Sequence, residues 1–234
     1  MLVTLIVIGI VSLALIGGAA WAAFGRLPPR VEGFAIAVAG GALVESLILE
    51  LIEPAVREAG LTVPMLAVVL GAVVFAGLDY AIDERWGGES GGGLLAAITL
   101  DGVPENLALG VALVGAGPTE VAALAGSIFL SNLPEAAGGA KEMMKSGWGK
   151  AKVLGIWTAA AAALALAAIV GNLAFEGAPR EVLAATRSFA AGAVIASLAT
   201  EVFPKAFQKD HHWAGVATVL GLVLAYLLGS LGEA

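Results

Sequence analysis

The chain lacks cysteine altogether, has two histidines, and is poor in charge, with 13% of its 234 residues charged and 6% aromatic. Without cysteine it can form neither a disulfide bond nor a thiolate metal site. Any metal ion must therefore be bound by oxygen atoms or by His211 and His212, which lie in a predicted loop. The twelve basic residues stand against nineteen acidic ones, so no nucleic-acid partner is expected. The His-Glu-x-x-His motif is also missing, and an enzyme is not expected.

The residues that are present are strongly apolar. Hydrophobic residues make up 59% of the chain, and the mean hydropathy is +0.95, which exceeds the usual range of a soluble domain. Read at roughly 20 residues per crossing, the apolar runs predict eight transmembrane spans, near residues 2–24, 33–54, 63–83, 94–115, 119–143, 150–174, 182–206 and 212–231. The expected fold is all-α, a polytopic membrane protein with one transmembrane domain over residues 1–234. The first span is expected to remain as a helix, because it lacks the pattern of a cleaved signal peptide.

The basic residues predict the orientation of these spans. Nine of the twelve lie after odd-numbered spans and three lie on the opposite side. Because cytoplasmic loops are enriched in Lys and Arg, the loops after odd-numbered spans are expected in the cytoplasm and both termini outside. The expected location is the inner membrane of a prokaryotic cell. The lipid bilayer is then a partner, and a homodimer is considered beside the monomer.

Two Pro-Glu motifs lie inside apolar stretches, within Asp101–Glu105 in span four and Ser131–Glu135 in span five. A carboxylate in hydrocarbon is costly, and such residues usually face the protein interior along an ion or proton pathway. The proline has no N–H, so the carbonyl four residues earlier is left free at the same level. Carboxylate, amide and carbonyl oxygens together are suitable ligands for a cation. No Lys or Arg lies between Arg85 and Lys141, so a cationic partner for these acids is not evident.

A short internal repeat relates spans two and seven. Gly41–Glu50 aligns without gaps on Gly192–Glu201, and each is followed within four residues by a proline, Pro54 or Pro204. These spans are five apart in the series, so they cross the membrane in opposite senses. This predicts an inverted-topology repeat, in which spans one to three and six to eight are related by a pseudo-twofold axis and the substrate site lies near the midplane.

On these residues the chain resembles the ZIP (Zrt/Irt-like) family of divalent metal transporters, which has eight spans in a 3+2+3 arrangement with both ends outside. The His-Asn-x-Pro-Glu-Gly signature of the family is matched at Pro104 and Glu105, and its fifth-span signature is similar to Ser131–Glu135. The resemblance implies a metal site on spans four and five, with Glu105 and Glu135 bridging two ions. Because Gly102 and Ser131 depart from the ligands of the family, a single metal position is expected here rather than two. The metal-binding residues that it implies are Asp101, Glu105, Ser131, Asn132 and Glu135.

The implied function is transport of a divalent cation, Zn²⁺, Mn²⁺, Fe²⁺ or Mg²⁺, with no permanently bound cofactor. Oxygen ligands alone shift the preference from zinc toward harder ions. The alternative is a ZIP-like homologue that has lost metal transport or carries a different substrate, because Gly102 and Asn132 stand where the family has ligands. Three further acids in spans two and seven are predicted to line the transport path: Glu45, Glu50 and Glu201.

Overall fold

The computed structural model describes residues 2–86, 91–114 and 121–232, which are almost entirely helical and include no strand. Among these residues lie eight long helices. They are α1 (Leu2–Phe24), α2 (Pro29–Ala59), α3 (Thr62–Trp86), α4 (Gly91–Ala112), α5 (Ala122–Lys145), α6 (Lys150–Ala174), α7 (Arg180–Asp210) and α8 (His212–Gly232). The all-α class and the eight helices are confirmed, and their ends agree with the predicted spans to within about five residues.

Six of these helices, α1, α2, α3, α6, α7 and α8, are long and apolar enough to cross a membrane over the residues that are described. Large apolar side chains cover the outward faces of α3 and α8, including Leu66 and Val69 on α3 and Val219 and Leu227 on α8. So many exposed large apolar side chains are unusual for a soluble monomer and are compatible with contact to lipid. The chain is therefore compatible with an integral membrane protein.

The helices pack in pairs around a central group. The helix α1 packs mainly on α5, α4 on α6, α2 on α8, and α3 on α7. The helix α2 also packs on α5 and on the last part of α7, and α4 packs on α7. The inner helices α2 and α7 are the most buried of the six apolar ones, whereas α3 and α8 are the most exposed.

Glycines allow the closest contacts in two of these pairs. A Cβ added at Gly41 of α2 would lie 1.9 Å from the Thr218 carbonyl oxygen of α8, and one at Gly192 of α7 would lie 2.0 Å from the Val68 carbonyl oxygen of α3. The partner helices also have a glycine at each crossing. Gly221 of α8 lies equally close to the backbone of α2, and Gly71 of α3 lies equally close to the backbone of α7. Only a residue without a side chain fits at such distances, so the two crossings are determined by glycine.

The helices α2 and α7 are each interrupted by a π-helical segment, over Leu47–Ile52 and Leu198–Val202. In both, the residue immediately before a proline donates its N–H to the carbonyl five residues back: Glu53 to Ile48 and Phe203 to Leu198. The sequence placed a proline after each repeat segment but did not predict the π-helical form. It arises because the proline that follows cannot donate to the helix, and a π-helical turn is one way to accommodate it.

Candidate functional site

A cavity of about 150 Å³ lies between α2, α5 and α7, toward the end of the bundle where α5 and α7 terminate. Its walls carry an unusual number of charged groups for an apolar protein. The charged residues that line it are Glu32, Glu135, Glu142, Glu201, Lys205 and Lys209. The same wall contains two polar side chains, Ser131 and Gln208, and the proline Pro134.

The α5 helix presents two of the predicted site residues to this cavity. Ser131 and Glu135 are four residues apart, which places them on one face of the helix. Pro134 lies between them inside the helix and removes one N–H, so the carbonyl of Leu130 loses its usual donor. The cavity wall thus combines a hydroxyl and a carboxylate at a point where the backbone is only partly hydrogen-bonded.

A lysine lies near the Glu135 carboxylate, contrary to the expectation that these acids have no cationic partner. Lys205 and Glu201, both on α7, form an ion pair with an Nζ to Oε2 distance of 3.0 Å. Both are close enough to interact electrostatically with Glu135. The sequence interpretation placed Lys205 at the very end of span seven, among the loop charges, whereas α7 continues to Asp210 and carries Lys205 and Lys209 inside the helix.

A buried carboxylate that the sequence interpretation did not single out joins three helices at one end of the cavity. Glu32, in the first turn of α2, has only 1% of its side chain exposed and pairs with Lys141 of α5 at 3.1 Å and with Lys209 of α7. Lys141 also donates to the Leu27 carbonyl oxygen at 3.0 Å. A Cβ at Gly138 would lie 2.8 Å from the Glu32 carboxylate, so the absence of a side chain there makes room for it. The only sequence signal was an acid beside Pro28 and Pro29 at a helix start.

The remaining predicted metal ligands are not seen to converge with Glu135. Asn132 is 1% exposed, and its amide donates to the Val11 carbonyl oxygen of α1 at 3.4 Å. Glu105 is buried within α4, at 5% exposure. The side chain of Asp101 lies outside the described residues. Among the side chains that are described, no group of three or more His, Cys, Asp or Glu residues is arranged to hold a metal ion.

Packing explains the glycine at position 102, within the Pro-Glu motif of α4. A Cβ at Gly102 would lie 2.4 Å from the Leu164 side chain of α6, so this position is part of the α4–α6 contact. The carbonyl of Gly102 accepts a hydrogen bond from the Asn106 amide at 2.9 Å. This face of α4 is therefore used for helix packing.

Two of the three predicted path residues, Glu45 and Glu50, lie on α2 outside the cavity lining. Glu50 is 11 residues beyond Ala39, a lining residue, which is about 16 Å along the helix axis. Its carboxylate accepts the N–H of Leu124 at 2.8 Å, in the first turn of α5. Glu45 is 6% exposed and accepts a weak hydrogen bond from Ser46, whose hydroxyl also contacts that of Ser127 at 2.8 Å. The third, Glu201, lies in the cavity.

The carboxylates of Glu135 and Glu201 and the hydroxyl of Ser131 line the cavity, and oxygen donors of these kinds are the ones that bind hard divalent cations in proteins. It carries cations of its own, in Lys205 and Lys209, which offset only part of the charge of the four glutamates that line it. No protein-family model matches the chain, and no curated protein sequence is significantly similar to it.

Proposed function

We propose that the protein is a ZIP-type membrane transporter for a divalent metal cation, and that the cargo passes through a carboxylate site on α4 and α5. The observation that carries the proposal is the position of Glu135 and Ser131. They line a cavity on a helix that contains a proline, between the two helices that contain π-helical segments. Transport sites are usually formed where discontinuous helices meet.

Matched contacts in the two halves of the chain support an inverted 3+2+3 repeat. Under that repeat α2 corresponds to α7 and α3 to α8, so the α2–α8 crossing corresponds to the α7–α3 crossing. Gly41 and Gly192 are aligned in the repeat. A Cβ added at either one would lie at about the same distance from a carbonyl oxygen of the partner helix. The π-helical segments also fall at aligned positions, just before Pro54 and Pro204.

Ligand chemistry narrows the cargo. Carboxylate, hydroxyl and carbonyl oxygens are hard donors, which suit Mn²⁺, Mg²⁺ or Fe²⁺ better than they suit zinc. Glu105 and Glu135 are assigned as ligands, with Asp101, Ser131 and Asn132 as additional donors. The lysine-rich end of the cavity is assigned to the cytoplasm, because basic residues are retained on that side of a membrane.

The test measures the cation affinity of Glu→Gln variants. Each substitution removes the charge of one carboxylate and keeps the size of the side chain. Glu105→Gln and Glu135→Gln are each expected to abolish high-affinity Mn²⁺ binding in isothermal titration of the purified protein in detergent. Loss of a group that merely supports a metal ligand costs about 10- to 100-fold in affinity, and loss of the ligand itself should cost more. Glu181→Gln, on the exposed first turn of α7, is the matched control and should bind as the wild type does. Unchanged affinity in both Glu105→Gln and Glu135→Gln would contradict the proposed site.

The second candidate is a homologue that no longer transports metal or that carries another substrate. Two observations favour it: Lys205 lies beside Glu135, and Gly102 is used for packing against Leu164. Uptake of Mn²⁺ into proteoliposomes separates the two candidates. Flux that depends on Glu135 supports the transporter, whereas the absence of flux in the folded wild-type protein supports the homologue.

A further inference from the structure

The Lys205 ammonium occupies the cavity next to the carboxylates that would hold a cation. It lies 3.0 Å from Oε2 of Glu201, one helical turn earlier on α7, and within electrostatic reach of Glu135 on α5. The other oxygen of Glu201, Oε1, is buried and has no hydrogen-bond partner among the described residues. Glu201 therefore retains an unused acceptor that faces protein rather than water.

The Lys205 side chain can also move away from Glu201 into solvent. Its side chain is 56% exposed, whereas that of Glu201 is 15% exposed. Ion pairs with so much exposure are weak, because solvent screens them and the long lysine stem is flexible. The other lysines of this region, Lys141 and Lys209, are held by the buried Glu32. Lys205 differs from Lys209, the other lysine of the cavity lining. Lys209 pairs with the buried Glu32, whereas Lys205 pairs with Glu201, which is exposed to the cavity.

We infer that Glu201 is a cargo ligand together with Glu135, and that Lys205 is a tethered cation which the cargo displaces. This inference rests on the proposed transport function and names the residue that regulates its site. Without cargo, the ammonium compensates carboxylates that would otherwise repel each other in a poorly hydrated space. A divalent ion neutralises the charge of two carboxylates, whereas one ammonium group neutralises the charge of only one. Lys205 therefore lowers cation affinity and favours divalent over monovalent ions.

The first experiment removes the charge of Lys205 and keeps the length of its stem. Lys205→Met is expected to bind Mn²⁺ about 10-fold more tightly than the wild type in isothermal titration, because the competing charge is gone. Lys205→Arg retains the charge and should stay close to the wild type. The matched control is Lys145→Met, an exposed lysine at the end of α5 outside the cavity lining, which should leave the affinity unchanged. In a Glu201→Gln background the effect of Lys205→Met should shrink, since the two residues act as a pair.

A second experiment uses the wild-type protein and so does not depend on the folding of a variant. Displacement by Mn²⁺ should turn the Lys205 ammonium toward solvent. Its reaction with an amine-labelling ester, quantified by mass spectrometry of peptides, should then become faster with Mn²⁺, while labelling of Lys145 stays constant.

The outcomes distinguish failure of the proposed function from failure of the inference about Lys205. If neither the wild type nor any variant binds a divalent cation, both the proposed function and the inference are wrong. If the wild type binds but Lys205→Met binds equally or more weakly, the inference is overturned and the proposed function stands. Constant or reduced labelling of Lys205 in the presence of bound Mn²⁺ would also overturn it.

Discussion

Glu50 shows what a single carboxylate can do at a helix end. The first N–H groups of a helix have no acceptor within it, and they carry the positive end of the helix dipole. Glu50 of α2 accepts one of these N–H groups, that of Leu124, at 2.8 Å, and so joins α2 to the start of α5. Glu50, which the sequence predicts as a path residue, is a helix-capping residue in the structure.

Removal of this acceptor should destabilise the protein. Glu50→Ala is expected to lower the free energy of unfolding by about 1 kcal/mol, the usual cost of losing a helix N-terminal acceptor. Glu50→Gln keeps an oxygen at the same place and should lose less. The measurement is denaturant unfolding in detergent, followed by tryptophan fluorescence. Glu53→Ala is the control, because the Glu53–Arg57 pair is exposed and should contribute little. Equal losses for Glu50→Ala and Glu53→Ala would show that the bond to Leu124 is not stabilising.

Some site residues could be predicted from sequence and others could not. Glu135 and Ser131 were recognisable because an acid after proline in an apolar stretch has few structural explanations. Glu32 and Lys205 were not, since each lies near a helix end, where a charge is ordinary. What makes them unusual is burial and pairing between α2, α5 and α7, which depends on tertiary packing.

At the level of helices, the closest crossings can be tested with two glycines of the same helix. A Cβ at Gly71 of α3 would lie 2.0 Å from the Phe189 carbonyl oxygen, while one at Gly77 would meet nothing within 4 Å. Gly71→Ala is expected to destabilise the protein by about 2 kcal/mol, because backbone atoms must move apart. Gly77→Ala should be neutral or stabilising by up to about 1 kcal/mol, since alanine favours helix. Thermal unfolding in detergent measures both. A Gly71→Ala variant as stable as Gly77→Ala would contradict the close crossing of α3 and α7.

The charge cluster that joins α2, α5 and α7 allows a prediction of relative effects. Glu32 is 1% exposed, whereas about a quarter of the Lys141 and Lys209 side chains is exposed. In Glu32→Gln both ammonium groups can turn to water, so the expected loss is about 1 kcal/mol. The double variant Lys141→Met/Lys209→Met leaves a carboxylate that cannot reach water, and the expected loss is about 3 kcal/mol. Chemical denaturation of the two variants decides the order, and a larger loss for Glu32→Gln would show that the lysines are the trapped partners.

For the molecule as a whole, composition and the length of apolar runs were enough to predict eight helices, because crossing a bilayer requires about 20 apolar residues. The same signal contains no information on which helices touch. The repeat between Gly41–Glu50 and Gly192–Glu201 came closer, since its glycines and prolines mark the crossings and π-helical segments that are observed. The segments themselves could not be predicted, because hydrophobicity does not report which carbonyl an N–H reaches.

These π-helical segments also change the phase of the helices that follow them. Each accommodates one residue more than the α-helix it interrupts, so the part beyond is turned by about 100° relative to a continuous helix. Beyond the segment in α7, Ala206 is buried while Lys205 and Lys209 face the cavity. In an uninterrupted α7 those two lysines would point about 100° away from Glu135 and Glu32. The positive charges of the cavity therefore depend on a backbone insertion: a continuous α-helix of the same residues would rotate both lysines out together, whereas deleting one residue within Leu198–Val202 would remove the insertion and leave them in place.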